Sequence, residues 1–259
     1  EKLLQFSQTS HVWKWDLDRV EAQEYADNIV DLLLAKLLRL PPKTRDILKV
    51  AACLGNNGEL ETLAVLCQCS EQDLLAALKP SIEQGLILCQ AGSYKFLHDR
   101  VQQAAYSLIA EAHRSAEHLR IGRLLLLNWP QSVVEAKVFD IVDHLNIGKA
   151  LIVEHDEKLH LSALNLLAGK KAKANTAYNS AIQFLEEGIA LLDQDSWQSD
   201  YQLSFDLHFE RAECNWMCSN FDQSVQQFTD LLTHSKTKLE KAKIFRMGVE
   251  LYTGKTNLV

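Results

Sequence analysis

Residues 86–109, "LILCQAGSYKFLHDRVQQAAYSLI", change period in mid-run. Up to Phe96 apolar and polar positions alternate around Gly92, as in a short hairpin. From Asp99 the apolar residues Val101, Ala104, Ala105 and Leu108 recur at helical spacing. A strand that hands over to a helix at His98-Asp99 makes this stretch the wing and following helix of a small mixed domain. The residues before it supply the remaining helices. Pro42 suits the first turn of a helix over 43–54, Gly55 ends it, and "NNG" (56–58) reads as a turn. A short helix follows at about 60–67. Ser70 and Asp73 form a capping box for a helix over 71–84, in which Pro80 is expected to bend the axis and after which Gly85 closes it. Three helices, a two-stranded wing and one more helix predict a winged helix over residues 40–111.

Upstream, residues 1–39 read as a linker: an extended segment at 11–19, then a helix capped by Asp27 with Ile29, Leu32, Leu33, Leu37 and Leu40 on its apolar face. Downstream, residues 112–259 are helical throughout. "AGKKAKANTAYNSAIQFLEEGIALL" (168–192) has tetratricopeptide spacing, with small residues at Ala168-Gly169, Ala181 and Gly188 and larger ones at Tyr178 and Leu185. "CSNFDQSVQQFTDLL" (218–232) repeats its second half, Phe221 standing for Tyr178, at a period of 43 residues where 34 is usual. Tyr178 and Phe221 are expected to be buried between hairpins. The fold class is therefore mainly α: a winged helix with a small two-stranded wing, followed by a tetratricopeptide-like α-superhelix.

Composition excludes several functions. The 259 residues carry 27 Lys and Arg against 34 Asp and Glu, a net charge of −7, so the footprint of a nucleic-acid binder is missing. No apolar run reaches the ~18 residues of a membrane span. Six cysteines (53, 67, 69, 89, 214 and 218) form no C-x-x-C and read as reduced thiols of a cytoplasmic protein, not as a zinc site. The start "EKLLQFSQ" and the end "YTGKTNLV" read as an internal segment of a longer polypeptide.

Two motifs could carry chemistry. Gly254-Lys255-Thr256 resembles the end of a phosphate-binding loop, but the first glycine falls one place early, at Gly248 where Val249 should be glycine. An inter-helix turn of a third repeat is the expectation. His98-Asp99-Arg100 lacks the order of a kinase catalytic loop and has no companion metal ligands. Asp99 as N-cap, with Gln102 three residues on, explains the pair as a helix start behind a partly buried wing histidine.

"RLPPKTRDILKVAACLGN", "EQGLIL" and "YKFLHDRVQQAAYSLI" resemble the region that follows the ATPase core in large bacterial signalling proteins. These join a serine/threonine kinase, an ATPase module of the STAND class (AAA-type), GAF and sensor histidine kinase domains. "FDIVDHLNIG" and "LNLLAGKKAKANTAYNSAIQFLEEGIALL" are similar to their helical-repeat segment, and Gly58 departs from the pattern where an aromatic is expected. The resemblance implies a regulatory segment, not an enzyme in itself, that couples the nucleotide state of an upstream ATPase module to kinase output. It implies ATP or ADP with Mg in the parent and no cofactor in this segment. The implied partners are that ATPase module, flanking kinase domains, and a protein or small-molecule effector on the repeats, with no nucleic acid and no membrane. It also implies that Phe96-Leu97-His98-Asp99 is a motif whose histidine, His98, contacts the β-phosphate of ADP, beside Asp99 as helix cap. The sensor and the plain wing histidine both stand at this point. The alternative function is a winged-helix DNA-binding regulator with a helical-repeat sensor. Its reading helix would carry Glu71, Asp73 and Glu83 against one Lys79, which phosphates would repel.

Overall fold

The computed structural model describes the backbone of residues 4–7, 12–15 and 25–256, and the side chains of residues 31–249. It is mainly helical, with one small three-stranded antiparallel sheet and a separate hairpin. The backbone divides into two compact units, Glu1–Arg114 and Ser115–Val259.

In the first unit, strands β1 (Leu4–Ser7) and β2 (Val12–Trp15) pair antiparallel, so the extended segment expected at 11–19 is a strand at its centre. Residues 16–19 lie outside the described ones. Helix α1 (Tyr25–Leu38) begins before Asp27, which is therefore inside the helix and not its cap. Leu37 and Leu40 are buried, whereas Leu32 is 70% exposed and falls off the expected face. Ile29 lies outside the described side chains. Lys36 Nζ donates to the Gln84 carbonyl, 2.5 Å away, and so satisfies an orphan acceptor at the end of another helix.

Helices α2 (Pro42–Leu54), α3 (Leu60–Leu66) and α4 (Glu71–Glu83) form where the sequence places them, Pro42 being the first residue of α2. The Asp73 N–H donates to Ser70 Oγ at 3.1 Å, which completes the cap of α4. Helix α4 continues past Pro80. Proline has no N–H to return to the preceding turn, and hydroxyls engage carbonyls there: Thr44 Oγ1 donates to Ala77 O and Ser81 Oγ to Leu78 O. Gly85, at φ +64°, then ends the helix, its N–H on Ile82 O and that of Leu86 on Ser81 O.

The sheet corrects the two-stranded wing. Strands β4 (Ile87–Gln90) and β5 (Ser93–Phe96) form the hairpin, and β3 (Asn57–Glu59) adds a third strand on the other side of β5. β3 falls in the segment read as a turn. Three residues are too few to show alternation, and their partners, Ser93–Lys95, lie more than thirty residues away. Gly58 faces Tyr94, whose ring would lie 2.9 Å from any Cβ at that position. The missing aromatic is thus supplied from across the sheet: Tyr94 is buried and donates its hydroxyl to Ala51 O. Helix α5 (Asp99–Ser107) follows, buries Val101, Ala104 and Ala105, and packs on α1 and α2.

The second unit contains most of α6 (Glu111–Asn128), then α7 (Gln131–Ala136), α8 (Val138–Gly148) and a 3₁₀ turn at Lys149–Leu151. Two helical hairpins follow, α9 (His155–Ala174) with α10 (Tyr178–Ile189) and α12 (Tyr201–Met217) with α13 (Phe221–His234). Their turns repeat bond for bond. Thr176 N donates to Lys173 O and Ala177 N to Ala172 O; Ser219 N donates to Trp216 O and Asn220 N to Asn215 O, all at 2.9 Å. This is a Schellman turn, and its left-handed residue is Thr176 (φ +59°) in one hairpin and Ser219 (φ +64°) in the other. The extra length of the repeat lies in residues 190–200, where the short helix α11 (Ser196–Ser199) places Trp197 against His234, ring centroids 4.1 Å apart.

Small residues set the hairpin packing. A Cβ on Gly169 would meet Leu185 at 2.6 Å, so the close approach of α9 and α10 requires glycine there. Tyr178 and Phe221 are only half-buried, which corrects the expectation of full burial: each is the first residue of its helix, beside an open turn. Helix α14 (Lys238–Thr256) runs through Gly254-Lys255-Thr256, so that segment is neither a phosphate loop nor the expected inter-helix turn.

Candidate functional site

β5 delivers the candidate residues to the surface. Tyr94 and Phe96 point into the core and anchor the strand; Leu97 continues it by donating its N–H to Leu86 O. The ladder holds the chain extended as far as His98, at φ −153° and ψ 142°, and the helix starts immediately after. His98 is therefore the N-cap. Its Nδ1 accepts the Arg100 N–H at 3.1 Å. This displaces Asp99 from the role of cap: Asp99 is the first helical residue, where its carboxylate complements the positive end of the helix. Gln102, expected to reach back within the capping box, donates instead to Ala52 O at 2.7 Å and ties α5 to α2.

This geometry fixes the histidine's chemistry. A ring nitrogen that accepts a hydrogen bond carries no proton, so in the neutral ring the proton is on Nε2. His98 is exposed, not partly buried, and presents one N–H donor at the sheet-to-helix junction. Arg100 is the second residue of the helix, its guanidinium on Gln103 Oε1 at 3.2 Å, and Lys95 is exposed on the outer face of β5. These are donors for an anionic oxygen.

Helix α4, the would-be DNA reader, exposes Glu71 and Asp73 in its first turn, and Lys79 Nζ lies 3.9 Å from Glu83. Among the described residues no group of three or more His, Cys, Asp or Glu is placed to hold a metal, and no helix is long and apolar enough to cross a membrane. The six cysteines form no disulfide with one another; burial pushes the Cys214 thiol up to about 12.

Two histidine clusters escaped sequence reasoning, both in the second unit. His118 on α6 and His144 on α8 are 5% and 7% exposed, with their Nδ1 atoms 2.7 Å apart. Each occupies an apolar-face position among Leu119, Ile121, Ile141 and Leu145, and that spacing was the available signal. Burial holds His144 down to about 4, assisted by His118, and lowers His118 against the pull of Glu117. His208 packs against Trp197 and accepts from Arg211 at 3.3 Å. Burial, then the charges of Arg211 and His234, bring it to about 4.

No protein-family model and no solved structure matches the chain. It is similar to hybrid signal transduction histidine kinase G of Dictyostelium discoideum, 25% identical over an alignment of 315 positions. The match takes in 98% of this chain and 9% of that kinase's length. The chain thus resembles one part of a much longer signalling protein.

Proposed function

We propose that the chain is a regulatory segment of an ATP-dependent signal-transduction protein. In this reading the first unit is a winged helix that senses the nucleotide held by an ATPase module, and the second is a tetratricopeptide-like array that receives an effector. Similarity to part of a signal-transduction histidine kinase supports the signalling role. The observation that carries the sensor is the division of labour in His98: Nδ1 is spent on the cap, which locks the ring, and the Nε2–H is left facing outward. A locked donor at a strand end suits a phosphate oxygen, because its orientation is fixed before the anion arrives. The segment's contribution is binding and coupling; nucleotide chemistry and phosphotransfer reside elsewhere in the longer protein.

The test is phosphotransfer output of the whole signalling protein under ADP and under ATP. His98→Ser keeps a capping oxygen and removes the reaching N–H donor. Output that ADP no longer represses in this variant supports the reading. Repression by ADP equal to that of the unaltered protein contradicts it.

A further inference from the structure

Helix α12 is covered on two opposite sides. Leu207 and Cys214 pack back on Ala181 and Leu185 of the first hairpin. On the far side Phe205, Phe209 and Ala212 meet its own partner α13, with Phe209 edge-on to Phe228 and Ser224 Oγ donating to Ala212 O. Helix α14 repeats only the first half of this arrangement. Ile244 and Met247 join the core formed by Phe205, Phe228 and Leu231, and so pack back on the second hairpin. At 100° per residue, Ala242, Phe245 and Val249 lie together on the opposite side. There Phe245 is 60% and Val249 63% exposed.

The two earlier hairpins show what fits such a face. Both seated helices read small, then large four residues on: Ala181 and Leu185 in α10, Ser224 and Phe228 in α13. Each also carries two carboxylates and no Lys or Arg, Glu186 and Glu187 in one, Asp222 and Asp230 in the other. Asp230 of α13 acts on Arg211 of α12, the helix on which α13 is seated. Beside the open stripe α14 exposes Lys241 and Arg246. Shape and charge therefore select the same kind of occupant.

We propose that the Ala242–Phe245–Val249 face of α14 is a docking seat for an acidic amphipathic helix with the pattern of α10 and α13. This inference stands independently of the nucleotide reading. The seated helix places its large side chain between Phe245 and Val249 and its carboxylates beside Lys241 and Arg246.

The test joins a second copy of Phe221–His234 to residue 259 through a flexible Gly/Ser linker of about 20 residues, which holds it at roughly millimolar effective concentration. Thermal melting is measured with and without Phe245→Asp. In the original chain this substitution falls on an exposed face and is expected to move the midpoint by about 1 °C or less. In the extended chain it should lower the midpoint by about 4 °C or more. Replacing both aspartates of the added copy by lysine should remove most of the gain from the extension. If Phe245→Asp is equally silent in both chains, the face is not a helix seat. If it melts the original chain by several degrees, the face is already covered. If sedimentation shows a dimer of the original chain that Phe245→Asp dissociates, the occupant is a second copy and the proposal fails.

Discussion

Replacing His98 by alanine removes the acceptor of the Arg100 N–H and is expected to cost ~1 kcal/mol of stability in the first unit. Asp99→Ala removes only an exposed charge near the helix start and should cost ~0.5 kcal/mol. Denaturant melts of the two variants measure the order; a larger loss for Asp99→Ala would restore Asp99 as the cap. The sequence places the cap at Asp99, because general preference favours aspartate at that position. What decides is how far the ladder extends: because Leu97 still pairs with Leu86, one step beyond Ile87 and Phe96, the extended residue before the helix is His98, and nothing in the local sequence marks that extra pair. A second single-residue test concerns the β4–β5 turn, where Ala91 and Gly92 both have positive φ, +49° and +76°. Asparagine tolerates that conformation better than alanine, so Ala91→Asn should stabilise by ~0.5 kcal/mol. An equal loss would mean that the turn is not of the mirror-image type.

At the level of elements, the matched turns of the two hairpins make a paired prediction. Thr176 and Ser219 hold a left-handed conformation that costs an L-residue ~1 kcal/mol and glycine almost nothing. Thr176→Gly and Ser219→Gly should each raise stability by up to ~1 kcal/mol, less the entropy that glycine adds to the unfolded chain. Loss of stability in both would show that neither residue holds the left-handed conformation; a gain in one and a loss in the other would show that the turns are not equivalent. Partial burial also revises the aromatic positions: Phe221→Ala should cost less than ~3 kcal/mol, and buried Phe205→Ala ~3–5 kcal/mol. The helices from 42 to 107 were legible because proline, glycine and Ser70 punctuate them and their apolar faces repeat. β3 was not, since three residues show no period. The end of the chain was misread for a related reason: Gly254 looks like a turn, yet α14 continues through it. The start of α14 was legible and overlooked, for Thr237 and Glu240 form a reciprocal capping box, 3.1 and 2.8 Å.

For the whole molecule, acid sensitivity follows from three histidines of the second unit, His118 and His144 buried and His208 half-buried. His118, His144 and His208 are held below the ordinary histidine value in the folded state, the last two to about 4. An unfolded chain therefore takes up protons first as pH falls. The stability these neutral rings allow is fully present above about 6.5 and is lost progressively down to about 4. The melting midpoint of the second unit should fall between pH 7 and pH 5, and His208→Gln should flatten part of that fall. A midpoint unchanged across the interval would mean that these rings are not held neutral in the folded state. The nucleotide reading concerns the other unit, and its most direct test is the rate of ADP release from the longer signalling protein carrying His98→Ser. A hydrogen bond to a charged phosphate contributes ~1.5–3 kcal/mol, so losing it should speed release by about 10- to 100-fold while melting of the first unit stays within about 1 °C. Unchanged release with intact folding would contradict the account, and leave His98 as a helix cap alone.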